Sequence, residues 1–234
     1  MGKERNPNLE MLEVTVACLG PLVDDLVFLG GCAAGLLITD TAAPPVRATR
    51  DVDVITGAGS LADYYRLSEK LRSRGFVEDT GDEAPICRWK IKNIVLDVMP
   101  TNPELLGFGN QWYRPAVEHA QLVTLPSGAK IRMVTGPFFL ATKLEAFDGR
   151  GKGDYMASHD MEDIISVIDG RPELVAELKS SSNELRCYLA KRFRGLLGIE
   201  GFVDSLPAHL PGDAASQARL PMVIERIEAI ADSG

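Results

Sequence analysis

The strongest constraint on the fold is a change in hydrophobic spacing near residue 135 of the 234-residue chain. Before this point, short segments rich in apolar residues alternate with helical patterns. From Pro137 onward, apolar residues recur only at helical spacing. Strands that alternate with helices form a sheet covered by helices, whereas a run of helices packs separately. We therefore expect an α/β (α+β) lobe with a mixed sheet over 1–134, followed by a helical lobe over 135–234.

Turn residues and hydrophobic spacing divide the chain into expected elements. Ser60, with Asp63 three residues later, is typical of a helix start. A linker containing Pro, Gly and Ala is expected over 204–218. The expected strands are 27–29, 51–55, 75–79, 86–91, 93–99, 121–125 and 129–134, and the expected helices are 8–27, 32–38, 61–74, 137–148, 159–169, 172–180, 183–198 and 219–232.

Composition and charge exclude several classes of protein. The net charge of −8 repels phosphate, so binding of nucleic acid driven by overall charge is excluded. Neither a signal peptide nor a run of about 18 apolar residues for a membrane span is present, and we expect a cytoplasmic protein with no membrane partner. The three histidines show no HExxH spacing, which disfavours a zinc hydrolase. Buried, reduced thiols are expected at Cys18, Cys32, Cys87 and Cys187.

The most informative segment contains two aspartates that flank a valine in a predicted strand. Residues two apart on a strand point to the same face, so Asp51 and Asp53 project together while Val52 packs inward. Two carboxylates on one face repel each other unless a cation lies between them. Hard oxygen ligands suit Mg²⁺, with Mn²⁺ as a substitute. An exposed strand face or a turn remains the alternative explanation.

Two further features accompany this pair. Asp97 interrupts an apolar strand, and a buried carboxylate needs a metal or another partner. If its strand lies beside the first, three carboxylates converge: two could hold a pair of metal ions, and Asp97 could take a proton. Gly30 and Gly31, between a strand and a helix, would let backbone N–H groups approach a phosphate. A strand-end acid bound to backbone amides and a plain tight turn are the alternatives.

Together these motifs resemble the DNA polymerase β-like nucleotidyltransferase superfamily, and within it the AbiEii-like abortive-infection family, many of whose members are toxins of toxin–antitoxin pairs. The resemblance covers about residues 25–170. Its later KxxAxxxR motif is matched at 143–150, and its Asp-x-x-Asp helix start at 160–163, although His159 stands where the family usually has Lys. The motifs appear in the family's order: GG at 30–31, RxTxDxD at 47–53, a lone strand aspartate at Asp97, and then these two.

The resemblance implies a role for each matched residue. Asp51, Asp53 and Asp97 would form the metal site, with Asp97 alternatively acting as base. The expected catalytic residues are Asp51, Asp53, Asp97, Lys143 and Asp160, and the expected nucleotide contacts are Gly30, Gly31, Arg47, Thr49, Lys143 and Arg150. A surface lysine whose stem covers apolar side chains is the alternative for Lys143, and a helix-capping acid is the alternative for Asp160.

The implied activity is Mg²⁺-dependent transfer of NMP from an NTP to an acceptor hydroxyl, with the nucleotide between the two lobes. The acceptor could be an RNA or tRNA end, a protein or a small molecule, and a cognate antitoxin protein is an expected partner. The alternative function is a non-catalytic, nucleotide-binding or partner-binding protein. Two lines of basic residues could hold RNA, although a solvated surface is the more common explanation for such lines: Arg186, Lys191, Arg192 and Arg194 on a helix, and Arg88, Lys90 and Lys92 on a strand.

Overall fold

The computed structural model describes residues 6–82, 84–151 and 153–234. The chain forms two compact units. The first contains the residues up to Ala33 together with Arg47–Thr135, and the second contains Ala34–Val46 together with Gly136–Gly234. Within the described ranges, no helix is both long and apolar enough to cross a membrane.

A seven-stranded mixed sheet forms the core of the first unit in the part of the chain that is described. The spatial order is β3-β4-β5-β2-β1-β7-β6. The β2–β5 and β1–β7 pairs are parallel, and the other neighbours are antiparallel. The mixed α/β sheet expected from the sequence is confirmed. The strands are β1 (Leu26–Leu29), β2 (Val52–Thr56), β3 (Val77–Glu78), β4 (Arg88–Ile91), β5 (Ile94–Pro100), β6 (Gln121–Thr124) and β7 (Lys130–Met133).

Most of the predicted helices are present, with shifts of a few residues at their ends. The helix predicted over 8–27 is wrong in its second part: it ends at Leu19, because Gly20 adopts a positive φ of 58°, and a 3₁₀-helix covers Gly20–Asp25. The short helices Tyr113–Glu118, Glu200–Ser205 and Ala214–Gln217 were not predicted. Ser60 caps α3, because its Oγ accepts a hydrogen bond from the N–H of Asp63 at 3.2 Å. The α-helices are α1 (Pro7–Leu19), α2 (Gly30–Leu37), α3 (Leu61–Ser73), α4 (Tyr113–Glu118), α5 (Gly136–Arg150), α6 (His159–Gly170), α7 (Leu174–Lys179), α8 (Asn183–Leu197), α9 (Glu200–Ser205), α10 (Ala214–Gln217) and α11 (Leu220–Ala231).

Local chemistry explains the tight connection between β4 and β5. Ile91 pairs with Ile94, so only Lys92 and Asn93 form the turn. Lys92 adopts a positive φ of 52°, the conformation that two-residue hairpin turns require. This turn fixes the register of the two strands, and the position of the candidate site depends on that register.

The prediction of a linker over 204–218 is wrong. A 3₁₀-helix covers Leu206–His209 and α10 follows it. Leu206 and Leu210 are buried, and the side chain of Asp213 caps α10 by accepting from two backbone N–H groups. Pro207 lies in the first turn of its helix, where the missing N–H has no cost. The Pro, Gly and Ala content indicated a loop, but apolar burial and a helix cap decide the structure.

The expected burial of four thiols holds for two of them. Cys32 and Cys87 are buried, Cys18 is half-buried and Cys187 is exposed, and all four are free. Cys187 lies on α8 on a side that faces solvent, because the apolar stripe of that helix is supplied by other residues.

Candidate active site

The first unit brings the three predicted carboxylates to one face of neighbouring strands. Asp53 on β2 pairs directly with Asp97 on β5. Asp51 precedes β2 by one residue and therefore shares the orientation of Asp53. Val52 and Val54 on the opposite face are fully buried. The condition for the three carboxylates to converge, that the two aspartate-bearing strands are neighbours, is therefore met.

An arginine that the sequence did not single out for this site lies between two of these carboxylates. Arg88 on β4 is directly opposite Asp97 in the β4–β5 pair. Its Nε donates to Asp97 Oδ1 at 2.8 Å and its Nη2 donates to Asp97 Oδ2 at 2.7 Å. The same Nη2 also donates to Asp51 Oδ2 at 3.3 Å. The hydrogen bonds to Asp97 raise the pKa of Arg88 further above its ordinary value, so the guanidinium keeps its charge.

This position corrects the interpretation of Arg88 as part of a basic line for RNA. Arg88 binds carboxylates within its own unit, and Lys90 forms an ion pair with Asp79 at 2.7 Å. Lys92 occupies the hairpin turn. The line of three basic residues is therefore divided among three different local structures.

Gly30 is in close contact with the carboxylate of Asp53. Leu29, the last residue of β1, pairs with Asp53, and α2 begins at the next residue. Gly30 has a φ of +74°, which favours glycine. A Cβ at this position would lie 1.9 Å from Asp53 Oδ2. The backbone conformation and the contact with Asp53 therefore each require glycine at this position. The predicted glycine turn thus lies against the aspartate strand. Gly31 is in the first turn of α2.

Asn8 holds the segment that leads into β2, and the sequence did not indicate this role. Its buried side chain donates from Nδ2 to the carbonyl of Arg47 at 2.8 Å and accepts from the N–H of Thr49 at 2.9 Å. Thr49 Oγ1 in turn donates to Asp51 Oδ1 at 2.9 Å. Asn8 thus fixes the backbone of two predicted nucleotide contacts, and Thr49 fixes a predicted metal ligand. The partners of Asn8 lie about forty residues away along the chain, so no local sequence pattern marks it.

The thiol of Cys32 lies beside this network. Its Sγ donates to the carbonyl of Asn8 at 3.1 Å. Burial, followed by the charges of Asp53 and Asp51, raises the pKa of Cys32 to about 12. Cys32 therefore remains a neutral thiol and does not act as a nucleophile. It contributes packing and one weak hydrogen bond.

The residues of this site fit a divalent cation held by two carboxylates better than one held by three. Within the described parts of the chain, no group of three or more His, Cys, Asp or Glu side chains is arranged to hold a metal ion. Both oxygens of Asp97 accept hydrogen bonds from Arg88. Asp51 and Asp53 provide the hard oxygen donors that Mg²⁺ prefers, and Gly30 leaves the approach to Asp53 without a side chain.

The second unit brings together the two later motifs. Lys143 on α5 places its Nζ 3.0 Å from Asp160 Oδ1 and 2.6 Å from Asp163 Oδ2. Arg150 donates to both oxygens of Asp160, at 2.9 and 2.8 Å. Burial raises the pKa of Asp160, but the hydrogen bonds of Arg150 and the charge of Lys143 outweigh it and hold the pKa below its ordinary value. The four side chains form one charge-balanced cluster.

Burial distinguishes the two cations of this cluster. The Lys143 side chain is only 8% exposed, which contradicts the alternative of a surface lysine, whereas Arg150 is 70% exposed. His159, at the position where the family usually has Lys, is exposed and lies 3.3 Å from Glu162. His159 is therefore outside the buried part of the cluster.

The basic residues of α8 are largely engaged within the second unit. Arg192 forms an ion pair with Asp148, and Arg194 donates to the carbonyl of Ala231 at 2.6 Å. Arg186 donates to Asn183 at 2.7 Å. Lys191 is exposed. Binding of RNA by this helix stays a prediction. Only part of the positive charge of the helix is exposed to solvent and outside the ion pairs that the structure shows.

Comparisons with known proteins give structural likeness without a family. No protein-family model matches the sequence, and no curated protein matches it either. One similar solved structure is that of a provisionally assigned nucleotidyltransferase from H. pylori, with a TM-score of 0.46 and 13% identity over 98% of this chain and 96% of that chain. Another is JHP933 from Helicobacter pylori, with a TM-score of 0.47 and 13% identity over 98% and 94%. Likeness at this level assigns the chain to no family.

Proposed function

We propose that the chain is a metal-dependent nucleotidyltransferase that moves NMP from an NTP to an acceptor hydroxyl. The observation that carries this proposal is the pairing of Asp53 with Asp97, with Asp51 on the same face and Gly30 against the Asp53 carboxylate. Carboxylates that would suit a divalent cation lie beside a glycine turn whose backbone N–H groups would suit phosphate, and this proximity supports the proposal.

In this proposal each residue of the first unit has one task. Asp51 and Asp53 would hold Mg²⁺ or Mn²⁺, which supplies positive charge for the triphosphate. The backbone at Gly30 and Gly31 would bind phosphate oxygens, and Thr49 keeps Asp51 oriented. A bond forms between the acceptor oxygen and the α-phosphorus, the bond to pyrophosphate breaks, and the proton of the acceptor hydroxyl passes to water or to Asp97. Transfer to Asp97 would neutralise that carboxylate and weaken its ion pair with Arg88.

In the proposal Lys143, Arg150 and Asp160 all contribute to nucleotide binding, but only one of them contacts the nucleotide. Arg150 is the exposed cation of the cluster in the second unit, so a phosphate from solvent can approach it. Lys143 is buried and neutralises Asp160 and Asp163. We therefore expect Arg150 to contact nucleotide and Lys143 to maintain the shape of the cluster.

A non-catalytic nucleotide-binding protein is the second candidate, and one observation favours it. The guanidinium of Arg88 occupies both oxygens of Asp97, the carboxylate from which a base or metal ligand was expected. A protein that binds nucleotide without turnover could retain this ion pair permanently. The two candidates therefore differ in chemistry while sharing a binding site.

Label transfer separates the two candidates. Each of the four α-labelled NTPs is incubated with Mg²⁺, an extract containing RNA and protein, and either the wild-type chain or Asp51→Asn/Asp53→Asn. Transfer by the wild type alone supports catalysis, and the distribution of label among RNA, protein and small molecules identifies the acceptor. NTP binding without transfer supports the second candidate. Absence of both transfer and binding would refute the two candidates together.

The choice of acceptor and the toxin role need separate tests. Lys191→Glu changes an exposed charge on α8 without breaking an ion pair that the structure shows, whereas Arg192 is bound to Asp148. An RNA-modifying enzyme should lose activity in Lys191→Glu, and an enzyme acting on a small molecule should not. Growth arrest on expression, relieved by a protein from a neighbouring gene, would support a toxin with a cognate antitoxin.

A further inference from the structure

Three carboxylates lie close together at the candidate site, and Arg88 neutralises part of their negative charge. Asp51, Asp53 and Asp97 project from one face of adjacent strands and together carry three negative charges. In a site that holds two divalent ions, all three carboxylates would be shared by metal. Here both oxygens of Asp97 already face a cation that belongs to the chain.

The backbone keeps Arg88 in this position. Its Cα is directly opposite Asp97 in the antiparallel β4–β5 pair, and the next pair, Trp89 with Leu96, is buried. The N–H of Val98 donates to the carbonyl of Cys87 at 2.9 Å, so the pairing also continues on the other side. The Asp97 side chain is 10% exposed and that of Arg88 is 26% exposed. Few water molecules could therefore hydrate the two charges if the ion pair were broken.

The two carboxylates that Arg88 contacts are held unequally. Two donors reach Asp97, at 2.8 and 2.7 Å, in the parallel geometry that gives the strongest charge-assisted hydrogen bonds. A single donor reaches Asp51 at 3.3 Å, and Asp51 is 32% exposed. An incoming cation therefore competes with a weak contact at Asp51 and with a strong, buried one at Asp97.

We propose that Arg88 is a permanent cationic substitute for a second divalent ion, so that the site binds one Mg²⁺ or Mn²⁺, on Asp51 and Asp53, and leaves Asp97 paired. This inference rests on the proposed function and deepens it by fixing the metal stoichiometry. Asp97 is then a positioning residue that holds Arg88 beside the metal. Arg88 supplies a fixed positive charge at the edge of the site.

The test counts bound ions without relying on activity. The full chain is titrated with Mn²⁺ alone, and the free ion is measured by electron paramagnetic resonance. We expect one saturable ion in the wild type and one in Arg88→Lys, which keeps the charge. We expect a second ion in Arg88→Met, where Asp97 loses its cation, and loss of saturable binding in Asp51→Asn/Asp53→Asn. Circular dichroism of each variant confirms that it is folded.

The outcomes separate this inference from the function on which it rests. Two saturable ions in the wild type would overturn the substitution by Arg88 while leaving a metal-dependent transferase intact, and this measurement needs no variant. Unchanged stoichiometry in a folded Arg88→Met would also overturn the inference. If no protein binds Mn²⁺ saturably, the metal site of the proposed function and the inference both fail.

Discussion

Replacing Gly30 with alanine tests whether the glycine turn and the aspartate strand form one site. A residue with a Cβ pays about 1–2 kcal/mol for the left-handed backbone, which Gly30 adopts at a φ of +74°. The new Cβ would lie 1.9, 2.6 and 2.9 Å from Oδ2, Cγ and Cβ of Asp53. Rotation of the Asp53 side chain moves the first two atoms but not its Cβ, so the backbone of β2 or of the glycine turn must shift. Overpacking of this kind costs about 1–3 kcal/mol more.

Gly107→Ala is a matched control for this variant. Gly107 has the same φ of +74°, but no atom lies within 4 Å of the position of an added Cβ. We expect chemical denaturation to show a loss of about 1–2 kcal/mol for Gly107→Ala and about 2–5 kcal/mol for Gly30→Ala. Relief of a 1.9 Å contact displaces the Asp53 carboxylate by about 1 Å, which is enough to reduce transfer about 100-fold.

The comparison gives a clear refutation. If Gly30→Ala loses no more stability than Gly107→Ala and transfers label at the wild-type rate, the contact between Gly30 and Asp53 does not shape the site. Equal Mn²⁺ binding by the two variants would count against the same contact, because Asp53 is a proposed ligand.

Three further variants test other parts of the structure. Lys143→Met should destabilise the chain by about 3–5 kcal/mol in chemical denaturation, because it removes the buried cation that lies against Asp160 and Asp163, whereas Lys191→Met at an exposed position should change stability little. Asn8→Asp keeps the acceptor for Thr49 but loses the donor to Arg47. We expect the free energy of unfolding to fall by about 1–3 kcal/mol, and NTP binding measured by calorimetry to weaken. Unaltered NTP binding would argue against a positioning role for Asn8. Burial lowers the pKa of His209, whose Nε2 donates to the carbonyl of Tyr155, so the unfolded chain binds a proton at a higher pH than the folded chain does. Stability should therefore fall as pH decreases through the ordinary histidine pKa of about 6.5. His209→Gln should flatten this pH dependence, and an identical slope in the two proteins would contradict the assignment.

Local patterns in the sequence were sufficient to predict most of the elements and part of the site. The alternation of Asp51, Asp53 and their valines indicated a strand with one buried face, and that strand is β2. The polar residue in an apolar strand, Asp97, indicated a partner, and the structure supplies one. Such predictions succeed because each depends on residues only a few positions apart, where the periodicity of a strand decides the direction of a side chain.

The features that were missed depend on register and on distant contacts. The spacing of Arg88 predicted a basic line with Lys90 and Lys92, but its contacts follow from its position opposite Asp97, which only the hairpin register determines. Asn8 is one polar residue in an ordinary helix, and its importance comes from a segment about forty residues later. A single sequence contains no local signal for either relationship.

The path of the chain through residues 34–46 has a consequence for the gene. This segment belongs to the second unit although it lies between two strands of the first, and α2 crosses the division. The N–H groups of Thr39 and Asp40 both donate to the carbonyl of Gly170, and Arg219 binds Asp40. A reading frame truncated at residue 135 would therefore encode this segment without the groups that hold it. Recombination could exchange the helical unit for another only by replacing two separate stretches of coding sequence at once.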